Sequence, residues 1–276
     1  MERRVLITGC SSGIGRATAH AFLSEDWEVM ATARNPDELH ELRKLGARTR
    51  ALDVTDDEQI SAVVKDTAGA AGIDCLVNNA GFAQAGALED ISPSRLHRQF
   101  DVNVIGVHRL TRAVLPYMRE QGDGTIINLS SGVGQISMPG FGAYSASKFA
   151  LEAMSDALRA EVAGDGIDVV VVQPGLVSTN FYSRMNQELA ELRRSDSYAD
   201  LYRLLDDWGS IDGGIATRTP EDVAEVIVHA ASGTSPAVRY PVGPLARLAA
   251  LAGMSPPGLR ARVIRLGYRI AARVTR

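Results

Sequence analysis

Short apolar runs alternate with segments of helical periodicity along most of the chain. The runs are rich in valine, isoleucine, leucine and alanine and show little alternation with polar residues, which is typical of parallel strands covered by helices on both faces. Six runs are predicted to be strands, at residues 4–8, 28–33, 49–52, 74–77, 125–129 and 168–172.

Helical segments fill the intervals between these runs. Apolar residues recur there at spacings of three and four, as on one face of an α-helix. The predicted helices are residues 14–25, 57–68, 96–119 and 146–162. Alternating β and α elements predict an α/β fold with a single doubly wound (Rossmann) parallel sheet.

The alternation stops after Pro174-Gly175. Residues 180–219 are charged and helix-forming, and an insertion after the carboxyl end of a strand is where a substrate lid is expected. A helix at 220–231 and a short strand at 238–242 are predicted next. We treat residues 1–276 as a single Rossmann-type domain with a helical substrate lid and a C-terminal helical extension at 243–276.

Composition narrows the class of protein. The 276 residues are 45% hydrophobic and 22% charged, as in ordinary globular domains. A net charge of −4 gives no indication of nucleic-acid binding. Cys10 and Cys75 form neither a disulfide framework nor a metal-ligand spacing, and no apolar run approaches membrane-spanning length. We therefore predict a cytoplasmic protein with no metal site and no nucleic-acid partner.

The C-terminal extension is basic. After Glu225 the chain has no acidic residue, whereas eight arginines lie there: Arg239, Arg247, Arg260, Arg262, Arg265, Arg269, Arg273 and Arg276. A final helix at 256–276 would carry one apolar face, formed by Leu259, Val263, Leu266, Ile270 and Val274. We predict that this face packs on the body of the protein or on a second subunit. The alternative is that it lies on an anionic membrane surface.

A glycine-rich turn connects the first strand to the first helix. Its sequence is Thr8-Gly9-Cys10-Ser11-Ser12-Gly13-Ile14-Gly15, with the spacing G-x-x-x-G-x-G instead of G-x-G-x-x-G. Gly9 permits a tight turn, Gly13 close approach to a pyrophosphate, and Gly15 close packing of the helix, whose N-terminal N–H groups would meet the phosphates. The alternative is an ordinary βα turn. The predicted cofactor contacts here are Gly9, Ser11, Ser12, Gly13, Ile14 and Gly15.

Residues after the second and third strands bear on the cofactor. An acidic residue after the second strand would favour NAD, but the chain has Arg34, which can pair with a 2′-phosphate. We therefore predict NADP(H) over NAD(H), although Arg34 could be an ordinary surface arginine. After the third strand, Asp53, followed by Val54, could accept a hydrogen bond from adenine, cap the next helix, or do both.

Ser131, Tyr144 and Lys148 are the candidate proton-transfer residues. Ser131 follows the fifth strand, and carboxyl ends of parallel strands bind ligands in such sheets. Tyr144 and Lys148 are one helical turn apart, so the ammonium and a nearby oxidised nicotinamide can favour the phenolate. The alternative is a solvated helix face. The Ser-x-x-Lys spacing of Ser145 to Lys148 also occurs in acyl-transfer enzymes, but no histidine or oxyanion motif accompanies it.

Two apolar residues precede Tyr144 in the loop after the fifth strand. Met138 and Phe141 are predicted to line an apolar substrate pocket together with Ser131 and Tyr144, because this loop passes beside the reacting carbonyl. The alternative is that both anchor the loop.

Together these motifs resemble the short-chain dehydrogenase/reductase family over about residues 4–179. Besides the glycine turn and Ser131, Tyr144 and Lys148, three further segments match. They are Asn78-Asn79-Ala80-Gly81 after the fourth strand, Asn103 in a helix, and the nicotinamide-side loop Pro174-Gly175-Leu176-Val177-Ser178-Thr179.

The resemblance implies roles for these residues. Tyr144 would be the acid or base, Ser131 would orient the substrate carbonyl, and Asn103 would support a water relay. Lys148 would bind the nicotinamide ribose and lower the tyrosine pKa. Further cofactor contacts implied by the resemblance are Asn79, Ala80, Gly81, Tyr144, Lys148, Pro174, Gly175, Val177 and Thr179. A homodimer or homotetramer is also implied, formed through the helices at 96–119 and 146–162.

The predicted function is that of an NADP-dependent oxidoreductase. It would interconvert an alcohol and a ketone or aldehyde on an apolar substrate, which is steroid-, retinoid- or lipid-like because the chain loosely resembles the branch with 17β-hydroxysteroid and retinol dehydrogenases. The alternative is a non-catalytic NADP(H)-binding regulatory or sensor protein on the same fold.

Overall fold

The computed structural model describes residues 3–208 and 217–274. One sheet of seven parallel strands forms its centre, in the spatial order β3-β2-β1-β4-β5-β6-β7. The strands are β1 (Arg4–Ile7), β2 (Glu28–Ala33), β3 (Arg48–Ala51), β4 (Cys75–Asn78), β5 (Gly124–Leu129), β6 (Ile167–Pro174) and β7 (Arg239–Val242). The order reverses between β1 and β4, and such a reversal leaves a crevice at the carboxyl ends of the strands.

Helices cover both faces of the sheet. They are α1 (Gly13–Ser24), α2 (His40–Lys44), α3 (Asp57–Ala68), α4 (Pro93–Phe100), α5 (Gly106–Gln121), α6 (Gly142–Glu161), α7 (Phe181–Ala190), α8 (Ala199–Trp208), α9 (Pro220–Ser232), α10 (Pro244–Gly253) and α11 (Pro257–Val274). The doubly wound parallel sheet predicted from the sequence is confirmed. Residues 209–216 of the predicted lid lie outside the described residues.

The helix predicted at 96–119 contains a π-helical turn that the sequence analysis did not predict. A π-helical turn, Asp101–Ile105, separates α4 from α5, and the N–H of Gly106 donates to the carbonyl of Asp101, five residues earlier. Such a turn accommodates one extra residue within a helix and is frequent at functional sites. An apolar spacing of three and four residues cannot reveal it, because the helix continues on both sides.

Two apolar cores lie on the two faces of the sheet. Val5 and Ile7 belong to one core and Leu6 to the other, because successive strand side chains point to opposite faces. All three are fully buried. Burial on both faces explains why the strands read as continuous apolar runs.

A third apolar cluster lies above the carboxyl ends of the strands. It joins the loop after β4, the loop before α6, and helices α7 and α8. Its buried members are Ala83, Ala85, Ala87, Phe141, Tyr144, Met185, Leu189, Leu192, Leu201, Tyr202 and Leu205. The charged segment after β6 therefore carries an apolar face that closes over Tyr144.

The C-terminal helix turns its apolar stripe away from the body. Leu259, Val263, Leu266 and Ile270 are each between 55% and 61% exposed. The prediction that this stripe packs on the body of the same chain is thus wrong. Contact with the body is made instead by Tyr268, which is only partly exposed and lies on a different side of the helix.

Three residues named in the sequence-based predictions for the tail lie outside the description in whole or in part. The side chains of Arg273 and Val274 and the whole of residue Arg276 are not among the described parts of the chain. Within residues 3–208 and 217–274, no helix combines the length and the apolar character that crossing a membrane requires.

Gly15, in the first turn of α1, packs directly against the glycine turn. A Cβ atom at this position would lie 2.3 Å from the carbonyl oxygen of Gly9 and 2.4 Å from Nδ2 of Asn79. Carbon atoms do not approach backbone oxygen so closely, so only glycine lets α1 start at this distance from the first strand.

We expect Gly15→Ala to lower the free energy of unfolding by about 1–3 kcal/mol, the usual range for overpacking, although alanine ordinarily favours a helix over glycine. Urea unfolding followed by circular dichroism measures the change. Gly267→Ala is the matched control, because open space surrounds Gly267 on α11. An unchanged stability of Gly15→Ala, or an equal loss in both variants, would show that this close packing is unimportant.

Candidate active site

The glycine turn has the shape of a phosphate cradle. Gly9 and Gly13 have φ angles of 74° and 57°, a backbone region that side-chain-bearing residues rarely adopt. Asn79 Nδ2 donates to the carbonyls of Thr8 and Gly9 at 2.8 and 3.1 Å. A Cβ atom on Gly13 would lie 3.0 Å from the Thr179 methyl group. The turn therefore leaves its backbone accessible at the N-terminus of α1, as a dinucleotide pyrophosphate requires.

The other predicted residues of this region lie around the turn. Ala80 N donates to Thr8 Oγ1 at 2.9 Å, and Gly81 lies against the side chain of Asn103. Ser11, Ser12 and Ile14 are partly exposed on the turn itself. The motif after β4 thus contacts the glycine turn, although about seventy residues separate the two in the chain.

The end of β2 carries an accessible cation. The side chain of Arg34 is exposed, and no hydrogen bond or ion pair to it occurs among residues 3–208 and 217–274. Beside it a cleft of about 460 Å³ runs from the turn to the start of α7. Its lining residues are Ser11, Ser12, Arg16, Asn35, Asp37, Glu38, His40, Asn180 and Arg184. Arg34 is thus next to this cleft in sequence without lining it, and the cleft carries charges of both signs.

Asp53 does not cap the following helix. Asp56 does so, since its Oδ1 accepts from the N–H groups of Glu58 and Gln59. Asp53 Oδ1 instead accepts from the N–H and hydroxyl of Thr55 at 2.9 and 2.7 Å, which closes a local turn. The capping alternative for Asp53 is therefore wrong. The sequence alone does not decide which residue caps the helix, because Asp56, three residues later, is an equally suitable cap.

Val54 is only 7% exposed and lies in the core on one face of the sheet. Its side chain packs against Gly106, where a Cβ atom would lie 2.8 Å from Val54 Cγ2. Its side chain is thus part of the packing between the loop after β3 and the start of α5.

Ser131, Tyr144 and Lys148 meet at the carboxyl end of β5. Lys148 Nζ donates to the carbonyl of Leu129 at 2.6 Å and lies 5.7 Å from the centre of the Tyr144 ring. The Ser131 hydroxyl lies close enough to the Tyr144 phenol to affect its pKa. The sequence-based prediction that these three side chains lie together agrees with this geometry.

The surroundings of Tyr144 keep its phenol protonated. Burial raises the pKa of Tyr144 well above its ordinary value; the Ser131 hydroxyl opposes this effect, and Tyr182 adds to it. Burial therefore outweighs the opposing effect of Ser131. A neutral phenol in this position is a proton donor, and it becomes a base only when further positive charge is brought close.

Burial acts on Lys148 in the opposite direction. It lowers the pKa of Lys148 to about 8, while the negative charge of Glu152 opposes this shift. The side chain is only 6% exposed. Near neutral pH the lysine is thus mainly an ammonium. Its pKa is close enough to neutral pH that small electrostatic changes alter the fraction that is protonated.

Asn103 lies in the π-helical turn and is fully buried. Its Oδ1 accepts from Phe82 N at 3.2 Å, and its Nδ2 donates to Phe82 O at 3.0 Å and to Ser147 Oγ at 3.3 Å. Ser147 Oγ in turn donates to the Tyr144 carbonyl at 2.7 Å. Asn103 therefore joins the loop after β4 to the first turns of α6.

The nicotinamide-side loop follows β6. Gly175 N donates to Val242 O at 3.0 Å, and the carbonyl of Pro174 accepts from Ser131 Oγ at 3.5 Å. Val177 is buried and forms a β-bridge with Arg218. This bridge connects the loop to the chain just before α9. No local pattern of residues predicts it, because the two segments are about forty residues apart.

The predicted substrate residues lie in the third apolar cluster. Phe141 is buried beside Tyr144, and Met138 packs partly exposed against the same cluster. The rings of Tyr144 and Phe181 lie 5.7 Å apart, so α7 closes directly over the phenol. The phenol therefore faces an apolar environment that the lid helices supply.

One functional candidate was missed in the sequence. Glu152, one turn after Lys148 on α6, is 5% exposed and bonds to Gln173 of β6 and Arg239 of β7. Its spacing of four residues from Lys148 was available in the sequence. Its two partners were not, because only the sheet brings β6 and β7 to α6.

The arrangement suits transfer of a hydride together with a proton. A cradle for a dinucleotide lies at one end of the crevice, and a buried phenol with a hydroxyl and an ammonium lies at the other. The residues fit a nicotinamide dinucleotide, because the glycine positions leave backbone N–H groups open at a helix N-terminus.

Comparison with known proteins agrees with this geometry. The family model for short chain dehydrogenase matches residues 3–190. The Escherichia coli K12 protein named uncharacterized oxidoreductase YbbO is 38% identical over 248 residues, covering 88% of this chain and 86% of that protein. The 3-ketodihydrosphingosine reductase of Bacteroides thetaiotaomicron is 39% identical over 201 residues, covering 72% of each chain.

Solved structures are similar along most or all of the chain. A short-chain dehydrogenase from Streptomyces avermitilis is 34% identical with a TM-score of 0.83, covering 100% of this chain and 99% of that chain. A serine dehydrogenase in complex with NADP+ is 29% identical, with a TM-score of 0.75 and coverages of 87% and 94%.

A third solved structure has the other nicotinamide cofactor. This short chain dehydrogenase/reductase from Burkholderia phymatum, in complex with NAD, is 26% identical, with a TM-score of 0.74 and coverages of 86% and 89%. The chain belongs to the short-chain dehydrogenase/reductase family and is an oxidoreductase that acts on CH–OH groups with NAD(P).

Proposed function

We propose that this oxidoreductase uses NADP(H) to interconvert an alcohol and a ketone or aldehyde on an apolar, steroid-, retinoid- or lipid-like substrate. The observation that carries the proposal is the burial of Tyr144, with Ser131 and Lys148, beneath the apolar cluster of the lid.

Tyr144 moves the proton in this proposal. The nicotinamide, when bound, supplies or accepts the hydride at the substrate carbon. In reduction, the Tyr144 phenol donates its proton to the substrate oxygen, and Ser131 donates a hydrogen bond to the same oxygen. Lys148 stabilises the phenolate that is left, and in oxidation this phenolate takes the alcohol proton back. Asn103 supports the relay that returns the proton to solvent.

The cofactor region supports NADP(H) over NAD(H). The first residue after β2 is Arg34, whose exposed guanidinium is free to pair with a 2′-phosphate. Glycines at positions 9, 13 and 15 would place the pyrophosphate at α1. Asp53, Val54, Asn79, Ala80 and Gly81 would lie toward the adenosine, and Pro174, Gly175, Val177 and Thr179 toward the nicotinamide.

The substrate proposal rests on the character of the lid. Met185, Leu189 and Phe181 of α7 lie in the cluster that contains Tyr144, and apolar pockets with few polar groups select apolar ligands. Met138 and Phe141 would line the same pocket. A relative whose name gives a sphingolipid precursor, 3-ketodihydrosphingosine, as substrate is 39% identical to this chain, which supports a lipid-like substrate.

A homodimer or homotetramer is part of the proposal, in the cytoplasm. The π-helical turn and α6 expose Ile105, Phe149 and Met154, each 37–43% exposed. These side chains lie on the helical faces through which the family resemblance implies assembly, and burial against a second copy would remove them from water.

For the C-terminal extension we propose contact with an anionic lipid surface. The stripe of Leu259, Val263, Leu266 and Ile270 faces outward. At 3.6 residues per turn, Arg262, Arg265 and Arg269 lie along one flank of this stripe, an arrangement typical of helices in a membrane interface. Pairing with the same surface of a second copy would bring arginines together with no acidic residue after Glu225 to offset them.

The alternative function, a sensor that binds NADP(H) without turnover, needs the glycine turn but not the part-buried Ser131 with the buried Tyr144 and Lys148. Oxidation of NADPH in the presence of a panel of ketones and aldehydes distinguishes the two. Cofactor binding without turnover on any of them would favour the sensor.

We expect Tyr144→Phe to lower kcat by about 10²–10⁴-fold, the usual contribution of general acid–base catalysis, while NADPH still binds. Steady-state turnover and fluorescence titration measure the two effects. Tyr117→Phe is the control, since Tyr117 packs beside the core on the other side of the molecule. Full turnover in Tyr144→Phe would rule out the proposed proton transfer.

We expect Arg34→Glu to lower the preference for NADP(H) over NAD(H), as a ratio of kcat/KM, by about ten- to a hundredfold. The reason is that a hydrogen bond to a charged group contributes about 1.5–3 kcal/mol. Lys44→Glu makes a similar charge change on an exposed side chain of α2 and serves as control. An unchanged ratio in Arg34→Glu would mean that the cofactor assignment is wrong.

We expect the protein to sediment with phosphatidylglycerol vesicles at low salt, less at high salt, and not with phosphatidylcholine vesicles, because arginine attraction is screened by salt. Leu266→Glu should abolish sedimentation, whereas Leu45→Glu, an equally exposed leucine on the body, should not. No sedimentation at either salt would contradict the lipid proposal. Self-association without lipid that Leu266→Glu abolishes would assign the stripe to a second copy.

A further inference from the structure

Glu152 is a buried carboxylate in the row of side chains that carries the active site. It follows Tyr144 and Lys148 on α6 at the same four-residue spacing, so the three lie on one side of the helix. Its side chain is 5% exposed. Oε1 accepts from Gln173 Nε2 at 2.8 Å, and Oε2 accepts from Arg239 Nε at 2.9 Å.

A carboxylate in this position is costly unless it is paired. Moving an ionised group from water to a protein interior costs several kcal/mol, which hydrogen bonds and an opposite charge must offset. Gln173 supplies a neutral donor and Arg239 an ion pair. These two bonds therefore offset the cost of burying the Glu152 side chain.

The other charged groups around Glu152 are paired with one another. Arg239 Nη2 also donates to Asp156 at 2.6 Å, and Asp156 accepts from Arg159 Nη1 at 2.6 Å. Arg159 Nε also donates to the Val169 carbonyl at 2.8 Å. Two arginines thus face two carboxylates, and their charges largely cancel at a distance.

The charge of Glu152 acts directly on the lysine. Its carboxylate raises the pKa of Lys148 against the effect of burial. The remaining neighbours of the ammonium are the Tyr144 ring on α6 and the carbonyl of Leu129 on β5, neither of which carries a charge. Among the described residues, Glu152 is therefore the anionic group whose charge favours the ammonium.

We propose that Glu152, held by Gln173 and Arg239, is a positioning residue that keeps Lys148 protonated and directed at Tyr144. The strands β6 and β7 thereby contribute to the active site through a carboxylate that touches neither substrate nor cofactor. The consequence for turnover rests on the proposed function, but the state of the lysine does not.

The chain offers a direct test because it has only three lysines, Lys44, Lys65 and Lys148. The first two are exposed. In protein labelled with ¹³C-lysine, the Cε signal that is missing in Lys148→Arg is that of Lys148, and its pH titration gives the pKa without any substrate. We expect Glu152→Gln to lower this pKa by about one unit or more, the usual effect of removing an opposite charge at close range.

Two matched variants test whether charge is the cause. Asp156→Asn removes a carboxylate one turn further along α6 and should shift the Lys148 titration much less. Arg239→Met removes the ion pair that holds Glu152 and should also lower the pKa of Lys148, so the proposal can be tested even if Glu152→Gln proves too unstable to measure. A fall of equal size in Glu152→Gln and Asp156→Asn, or no change in either Glu152→Gln or Arg239→Met, would overturn the proposal.

Turnover provides a second, separate measurement. In Glu152→Gln, kcat should change little below about pH 6 and should fall by up to about tenfold above about pH 8, because the lysine loses its proton about one pH unit earlier. Glu152→Asp should recover most of the activity by restoring the charge. If Glu152→Gln lowers the pKa of Lys148 but no form of the protein, including the unchanged one, shows turnover, the role of Glu152 stands and the proposed function is rejected. A uniform loss of kcat at all pH values, with an unchanged lysine titration, would reduce Glu152 to a structural residue.

Discussion

The architecture of the active site depends on keeping a phenol and an ammonium out of water at one point of the sheet. Burial acts on the two groups in opposite directions: it raises the pKa of Tyr144 and lowers that of Lys148. The lid supplies the apolar cover, whereas the Leu129 carbonyl and the Glu152 carboxylate offset the cost for the lysine. A site of this kind needs both a dry surface and a polar support behind it.

The two halves of the site are joined by the reversal of strand order. Because β1 and β4 are neighbours, Asn79 reaches the carbonyls of the glycine turn, and Asn103 joins the loop after β4 to α6. The cradle and the proton-transfer residues therefore share one set of hydrogen bonds. Displacement of the loop after β4 would disturb both, which links the packing of Gly15 to the chemistry at Tyr144.

The C-terminal part of the chain forms part of the protein surface and also contacts the elements that carry the active site. Arg239 of β7 bonds to Glu152, and Ala246 of α10 lies against Gly132, directly after Ser131. Tyr268 of α11 packs on the cluster above Tyr144. A partner that binds the outward stripe of α11 would therefore lie close to the covered side of the active site.

The sequence by itself determined the strands, the doubly wound parallel sheet and the predicted positions of the glycine turn and of Ser131, Tyr144 and Lys148. These features are encoded locally, since continuous apolar runs report burial on both faces and a four-residue spacing reports one side of a helix. Only the tertiary structure decided the π-helical turn at Asn103, the partners of Glu152, and the outward direction of the α11 stripe. Each depends on which distant segments of the chain come into contact. An apolar pattern indicates that burial of one face of an element is favourable, but it does not identify the segment or partner that buries it.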